Sequence, residues 1–201
     1  MTRRVAFVLF PDAEELDFVG PWEVFTMLRQ LVPGSCDAFM VSEAGEAVRC
    51  AKGMRVLPDY SFANAPAADI IVVPGGQGTR TEVHNEAMVR FIAAGAATAE
   101  VTTSVCTGAF LLERAGLLQG RRATTHWASM DRFRLLGTVE AVDERWVDEG
   151  NVITAAGVSA GIDMALHLVG RLWSPETARA VQKAMEYFPA PPYEDVPIAS
   201  K

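Results

Sequence analysis

With three cysteines, three histidines and no run of lysine or arginine, this sequence has little from which to build a disulfide framework, a zinc cluster or a polyanion-binding face. Cys36, Cys50 and Cys106 are odd in number, far apart and outside Cys-x-x-Cys spacing, so each is expected to be a free thiol. Acidic residues outnumber basic ones, 25 to 18, for a formal net charge of −7, which makes nucleic acid a poor partner. No apolar run approaches the ~20 residues that a membrane-spanning helix needs. Residues 1–10 carry two arginines and then an apolar stretch, but it stops at Pro11-Asp12, short of a secretory leader. The expectation is a cytoplasmic protein with no membrane partner.

The 201 residues are 50% apolar and 21% charged, the balance of a folded chain whose core needs no cross-links. No repeat, low-complexity segment or linker divides it, so one domain over residues 1–201 is expected. Short, unalternating apolar or β-branched runs at 5–10, 69–73, 100–105 and 151–155 read as strands buried on both faces. Weaker strand signals lie at 39–42 and 139–147. Helical patterns fall between them, at 21–31 with Pro21 in the first turn, 85–97 with Asn85 as cap, 107–115, 159–172 with Ser159 as cap, and 175–185. The tail with Pro189, Pro191, Pro192 and Pro197 cannot be regular. Buried strands alternating with helices predict an α/β protein: a mainly parallel sheet with helices on both faces.

In such sheets ligands bind beyond the carboxyl ends of the strands, and three predicted strand ends carry chemistry. The sharpest is Ser104-Val105-Cys106-Thr107-Gly108, where a β-branched strand runs straight into a helix with one nucleophile among small residues. That is the layout of a nucleophile elbow. A thiol at a helix N-terminus is expected to have its pKa drawn from about 8.5 to roughly 3.5–7.5. The alternative is a buried structural cysteine ending a strand. At the second strand end, Pro74-Gly75-Gly76, the N–H of Gly75 or Gly76 together with that of Thr107 suggests an oxyanion site. At the first, Asp12, Glu14, Glu15, Asp17 and Glu23 are all candidates to exchange a proton with the thiol, and spacing does not choose among them. His126, beside Trp127, could act as a base toward Cys106, although a histidine there is more often a packed or capping residue. His84 and His167 read as a surface loop and a helix face.

Six segments in order carry a resemblance: V-A-F-V-L-F-P, D-F-V-G-P-W-E-V-F, I-V-V-P-G-G, S-V-C-T-G-A-F-L-L-E-R-A-G-L-L, A-T-T-H-W and G-V-S-A-G-I-D-M-A-L-H-L. The chain resembles the ThiJ/PfpI superfamily over nearly its whole length. This implies a flavodoxin-like three-layer sandwich with Cys106 as nucleophile. Thr107 stands where the intracellular proteases of the group place histidine, and Asp17 where the glyoxalase branch usually carries glutamate. Asp17, C-T-G and A-T-T-H-W together resemble the branch that hydrates isonitriles, and also the sensor halves of AraC-type regulators. The end at Lys201 leaves no room for a helix-turn-helix domain, so the enzyme is the expectation.

The resemblance implies that the Cys106 thiolate adds to the terminal carbon of an isonitrile. Asp17 then activates water against the resulting thioimidate, and an N-substituted formamide leaves. Thr107 would orient substrate or water, Gly75 and Gly76 would stabilise developing charge, and His126, Trp22 and Trp127 would line the substrate site. No cofactor or metal is implied, and a homodimer is. Two other readings remain: a cysteine enzyme acting on glyoxals or small amides, and a thiol stress sensor without catalysis.

Overall fold

The structure is a computed structural model and describes residues 2–192; Pro197 of the predicted irregular tail lies outside the described residues. Along the chain run β1 (Arg3–Leu9), α1 (Glu15–Leu31), β2 (Cys36–Ser42), β3 (Val48–Arg49), β4 (Arg55–Val56), β5 (Tyr60–Ser61) and β6 (Ile70–Val73). There follow α2 (Thr79–Glu82), α3 (Glu86–Ala96), β7 (Val101–Val105), α4 (Gly108–Arg114), β8 (Arg122–Ala123), a 3-10 turn (Trp127–Ser129) and α5 (Met130–Arg134). The last elements are β9 (Glu140–Ala141), β10 (Trp146–Asp148), β11 (Val152–Ala155), α6 (Ala160–Leu172) and α7 (Pro175–Ala184).

Seven strands form the main sheet in the order β10-β11-β7-β6-β1-β2-β5. All neighbours are parallel except the edge pair β10–β11. The five central strands, β2-β1-β6-β7-β11, have the 2-1-3-4-5 order of a flavodoxin-like sheet, whose winding reverses between β1 and β6. Both faces are covered, which explains the unalternating apolar runs. Val5, Phe7 and Leu9 of β1 join Phe18, Phe25 and Leu28 of α1 and Met164 and Leu168 of α6 in one core layer. Ala6 and Val8 turn the other way, to Met88 and Ile92 of α3 and Leu111 of α4. The alternation is the pleat itself, sending neighbours to opposite faces.

Two helix starts depart from the sequence pattern. The first helix begins at Glu15, so Pro21 sits inside it and its missing N–H leaves the Asp17 carbonyl without a helical partner. Ser159 occupies the cap position of α6 but makes no side-chain cap; its Oγ accepts a hydrogen bond from the Arg145 guanidinium at 3.2 Å. Asn85 and Ser174, by contrast, cap α3 and α7 through their side chains. The predicted strand at 139–147 is two short ones, β9 and β10, in different sheets. No helix among the described residues is long and apolar enough to cross a membrane.

The α1 layer is anchored by Phe25, wholly buried, with its ring 6.3 Å from Phe7 and 6.5 Å from Trp173. Phe25→Ala should therefore cost about 3–5 kcal/mol of unfolding free energy, read as a lower urea midpoint with unchanged slope.

Candidate active site

Cys106 stands at the turn between β7 and α4 with φ of 58°, a left-handed backbone that is costly for a non-glycine residue. Its own N–H is held by the carbonyls of Ala155 and Ala156 at 3.1 and 2.8 Å, and its carbonyl accepts from the Thr125 hydroxyl at 2.8 Å. The reversal is tight enough that position 108 must be glycine. A Cβ there would overlap the Val73 carbonyl oxygen and come within 2.8 Å of that of Pro74. The elbow read from the sequence is present, and Cys106 is only 6% exposed at the bottom of a cavity.

Of the five acids on the first strand's far end, burial selects Asp17 at 0% exposure, while Asp12 and Glu23 face solvent. Asp17 lies in the first turn of α1, and its Oδ2 accepts the Gly75 N–H at 2.8 Å. The loops holding it are joined by an antiparallel bridge between Ala13 and Gly76 and by the Glu14 N–H on the Gly75 carbonyl at 2.9 Å. Oδ1 of Asp17 is buried and, among the described residues, has no hydrogen-bond partner. Burial pushes the carboxyl up to about 7. Glu14 adds to the rise, and the Gly75 N–H and the Cys106 thiol oppose it.

The thiol is not activated as its place at a helix start suggested. Burial, then the Asp17 charge, push Cys106 up to about 12, against the opposing pull of the Thr107 N–H and hydroxyl and the Val158 N–H. Dehydration outweighs the helix terminus because α4 spans only seven residues and the sulfur is buried with a carboxylate at its side. The resting site is a thiol beside a carboxyl that exchanges its proton near neutrality.

The glycine turn also works differently from the expected oxyanion hole. The Gly75 N–H is taken by Asp17, and the Gly76 N–H by Thr107 Oγ1 at 3.0 Å. A Cβ on Gly75 would lie 2.5 Å from the Thr107 nitrogen, so the glycine lets the turn press against the elbow. Thr107 Oγ1 is further bonded to the Gly76 carbonyl at 3.2 Å and the Thr79 hydroxyl at 3.1 Å, which ties the elbow to that turn. The N–H groups facing the sulfur are those of Thr107 and Val158. Val158 escaped the sequence reading. It has φ of 44°, strained for a β-branched residue, and only the segment G-V-S-A-G before α6 could have drawn attention to it.

The cavity holds about 230 Å³ and is lined by Cys106, Thr107, Gly76, His126 and Val158, with Glu14, Gln77, Arg80, Ala128 and Ser129 toward its mouth. His126 lines it but is no base: Nδ1 accepts the Ala128 N–H at 3.2 Å, and burial lowers its pKa. The neutral ring then carries its proton on Nε2, as a donor. Trp22 is not a pocket wall. It packs into the core, edge-on to Phe7 with centroids 5.3 Å apart, because α1 turns its position toward the sheet. Trp127 is 58% exposed beside His126, outside the cavity lining, because the 3-10 turn points it to solvent. Cys36 and Cys50 are free, buried in the core, and raised in pKa by burial. Among the described residues no three histidine, cysteine or acidic side chains stand together as a metal site.

An elbow cysteine beside a buried carboxyl, on a flavodoxin-like sheet, defines an α/β protein with a thiol–carboxyl site at the carboxyl ends of its strands. Residues 3–171 match the DJ-1/PfpI family, and the chain belongs to it. It is 40% identical over 194 residues to an isonitrile hydratase of Pseudomonas putida, covering 96% of this chain and 82% of that protein. It is 34% identical over 187 residues to the transcriptional regulator GbdR of Pseudomonas aeruginosa, spanning 92% of this chain but about half (51%) of that one. A crystal structure of a ThiJ/PfpI family protein from Pseudomonas syringae superimposes with a TM-score of 0.88 at 31% identity, over 96% of this chain and 78% of that one.

The raised pKa of Asp17 makes its ionisation a cost to folding. The folded pKa of about 7 lies above the ordinary 3.8. Stability from Asp17 is therefore complete below pH ~4 and falls as pH rises to about 7, by about 4 kcal/mol at 1.36 kcal/mol per unit. Asp17→Asn, which cannot ionise, should gain in melting temperature over wild type between pH 4 and pH 8. Equal pH profiles for the two would contradict the burial argument.

Proposed function

We propose that this protein hydrates isonitriles to N-substituted formamides. The observation that carries the reading is the dry Asp17 carboxyl, titrating near 7 with one oxygen unpartnered, against the Cys106 thiol. The 40% identity to an isonitrile hydratase supports it.

Hydration of R–N≡C requires a nucleophile and a proton at the same carbon, then water at that carbon. Above pH ~7 Asp17 is ionised and Cys106 is protonated. As sulfur bonds to the terminal carbon, the thiol proton passes to Asp17 and from there to that carbon, giving the thioimidate R–N=CH–S–Cys106. Asp17, ionised again, takes a proton from water while the water oxygen bonds to the same carbon, and the C=N electron pair takes that proton at nitrogen. The adduct R–NH–CH(OH)–S–Cys106 collapses: the C–S pair returns to sulfur, the hydroxyl proton reaches it through Asp17, and R–NH–CHO leaves. The Thr107 and Val158 N–H groups stabilise negative charge on sulfur while it is unprotonated. Each proton moves through one carboxyl whose pKa matches the working pH. In this reading the partner is a small molecule, and the chain works as a cytoplasmic homodimer, as the family resemblance implies.

Purified protein incubated with an alkyl isonitrile should form the N-alkyl formamide, followed by NMR. Cys106→Ala should form none, and Asp17→Asn should be slower by at least about 10²-fold. If Asp17→Asn turns over normally, the proton-carrier role is wrong; if wild type makes no formamide, the reaction is.

Protonation of Asp17 removes the acceptor for the thiol proton. kcat/KM should therefore rise with pH through about 7 in wild type, and the rise should vanish in whatever activity Asp17→Asn retains.

A further inference from the structure

The cavity is graded from floor to mouth. Cys106 is buried at the floor, while Arg80 is exposed at the rim. A substrate whose electrophilic carbon reaches the sulfur therefore directs its other end toward Arg80. Among the described residues, the Arg80 guanidinium makes no hydrogen bond or ion pair, although its backbone is fixed in α2 next to Thr79, which is bonded to Thr107 of the elbow. A second cation lies outside the cavity lining but within its electrostatic reach: Arg132, its guanidinium 4.2 Å over the Phe110 ring, has its pKa lowered by burial and by Arg80. Arg80 at the mouth and Arg132 behind the lining, neither paired to a carboxylate among the described residues, make a local positive field in a chain of net charge −7. Glu14, the acid lining the cavity, is engaged by Lys52. The neutral His126 offers Nε2–H, and Ser129 a hydroxyl, on the same wall.

We propose that the Cys106 site takes electrophiles whose far end is anionic, such as a carboxylate, and that Arg80 holds that end. This deepens the hydratase reading and rests on it for the substrate class, isonitriles bearing a carboxylate on R. A planar guanidinium can take a carboxylate through two parallel N–H···O bonds, which fixes the length of R as well as its charge. Because Arg80 is exposed, its contribution is that of a solvated ion pair, up to about 1 kcal/mol or about fivefold.

The test separates the anion site from the reaction. Iodoacetate and iodoacetamide are nearly isosteric alkylating agents that differ in charge. Their rates at Cys106 are read by mass spectrometry of its peptide. Their rate ratio should fall about fivefold in Arg80→Ala, less in Arg80→Lys, and not at all in Arg90→Ala, which removes an exposed guanidinium on α3. An unchanged ratio in Arg80→Ala, or the same fall in Arg90→Ala, overturns the proposal. In parallel, wild type and Arg80→Ala are given isocyanoacetate and its ethyl ester. A preference for the free acid that shrinks in Arg80→Ala supports the site within the hydratase reading; preference for the ester in wild type overturns it. A shifted alkylation ratio without turnover of either isonitrile upholds the anion site and sinks the hydratase reading alone.

Discussion

A carboxyl group is held out of water against a thiol, and much of the local architecture serves to keep it there. Asp17 has one backbone N–H to lean on, that of Gly75, and the Cys106 thiol at its side, while among the described residues its Oδ1 finds no partner. Such a group is expensive, and the cost is spread over three strand ends. The turn after β6 supplies the N–H, the first turn of α1 after β1 supplies the acid, and the elbow after β7 supplies the sulfur. Hydrogen bonds from Gly76 and from Thr79 to Thr107 lock these pieces together, so none can relax without the others.

The fold was open to sequence reading for a simple reason. Strands buried on both faces need continuous apolar or β-branched runs, and four of the five central strands carry one, β2 giving only a weak signal, so layers and parallel topology followed. The short pairs β3–β4 and β8–β9 were not legible, since two residues carry no periodicity. Pro21 misled about where α1 begins, because proline favours a first turn, and here the packed helix overrides that preference.

At the site, legibility tracked whether the signal was local. Cys106 announced itself through its neighbours. Asp17 could not be told from four nearby acids, since burial is a tertiary property; only the family resemblance pointed to it. The N–H groups of Gly75 and Gly76 were correctly noticed and wrongly assigned, because sequence shows which donors a turn can offer but not which acceptor arrives first. Trp22 and Trp127 failed in opposite directions, one into the core and one into solvent. Val158 contributes through its backbone, which no residue-type argument detects.

The high thiol pKa has a bearing on how long the protein stays active. Peroxide attacks thiolates, and a sulfur that keeps its proton at neutral pH presents almost none. In the proposed hydration, burial and the neighbouring carboxyl thus shield the sulfur from oxidative damage between encounters, and the carboxyl draws off its proton only when an electrophile is in place. Redox sensors favour the reverse arrangement, with an exposed and acidic thiol. The burial that slows the thiol at rest is what lets it survive to be used again.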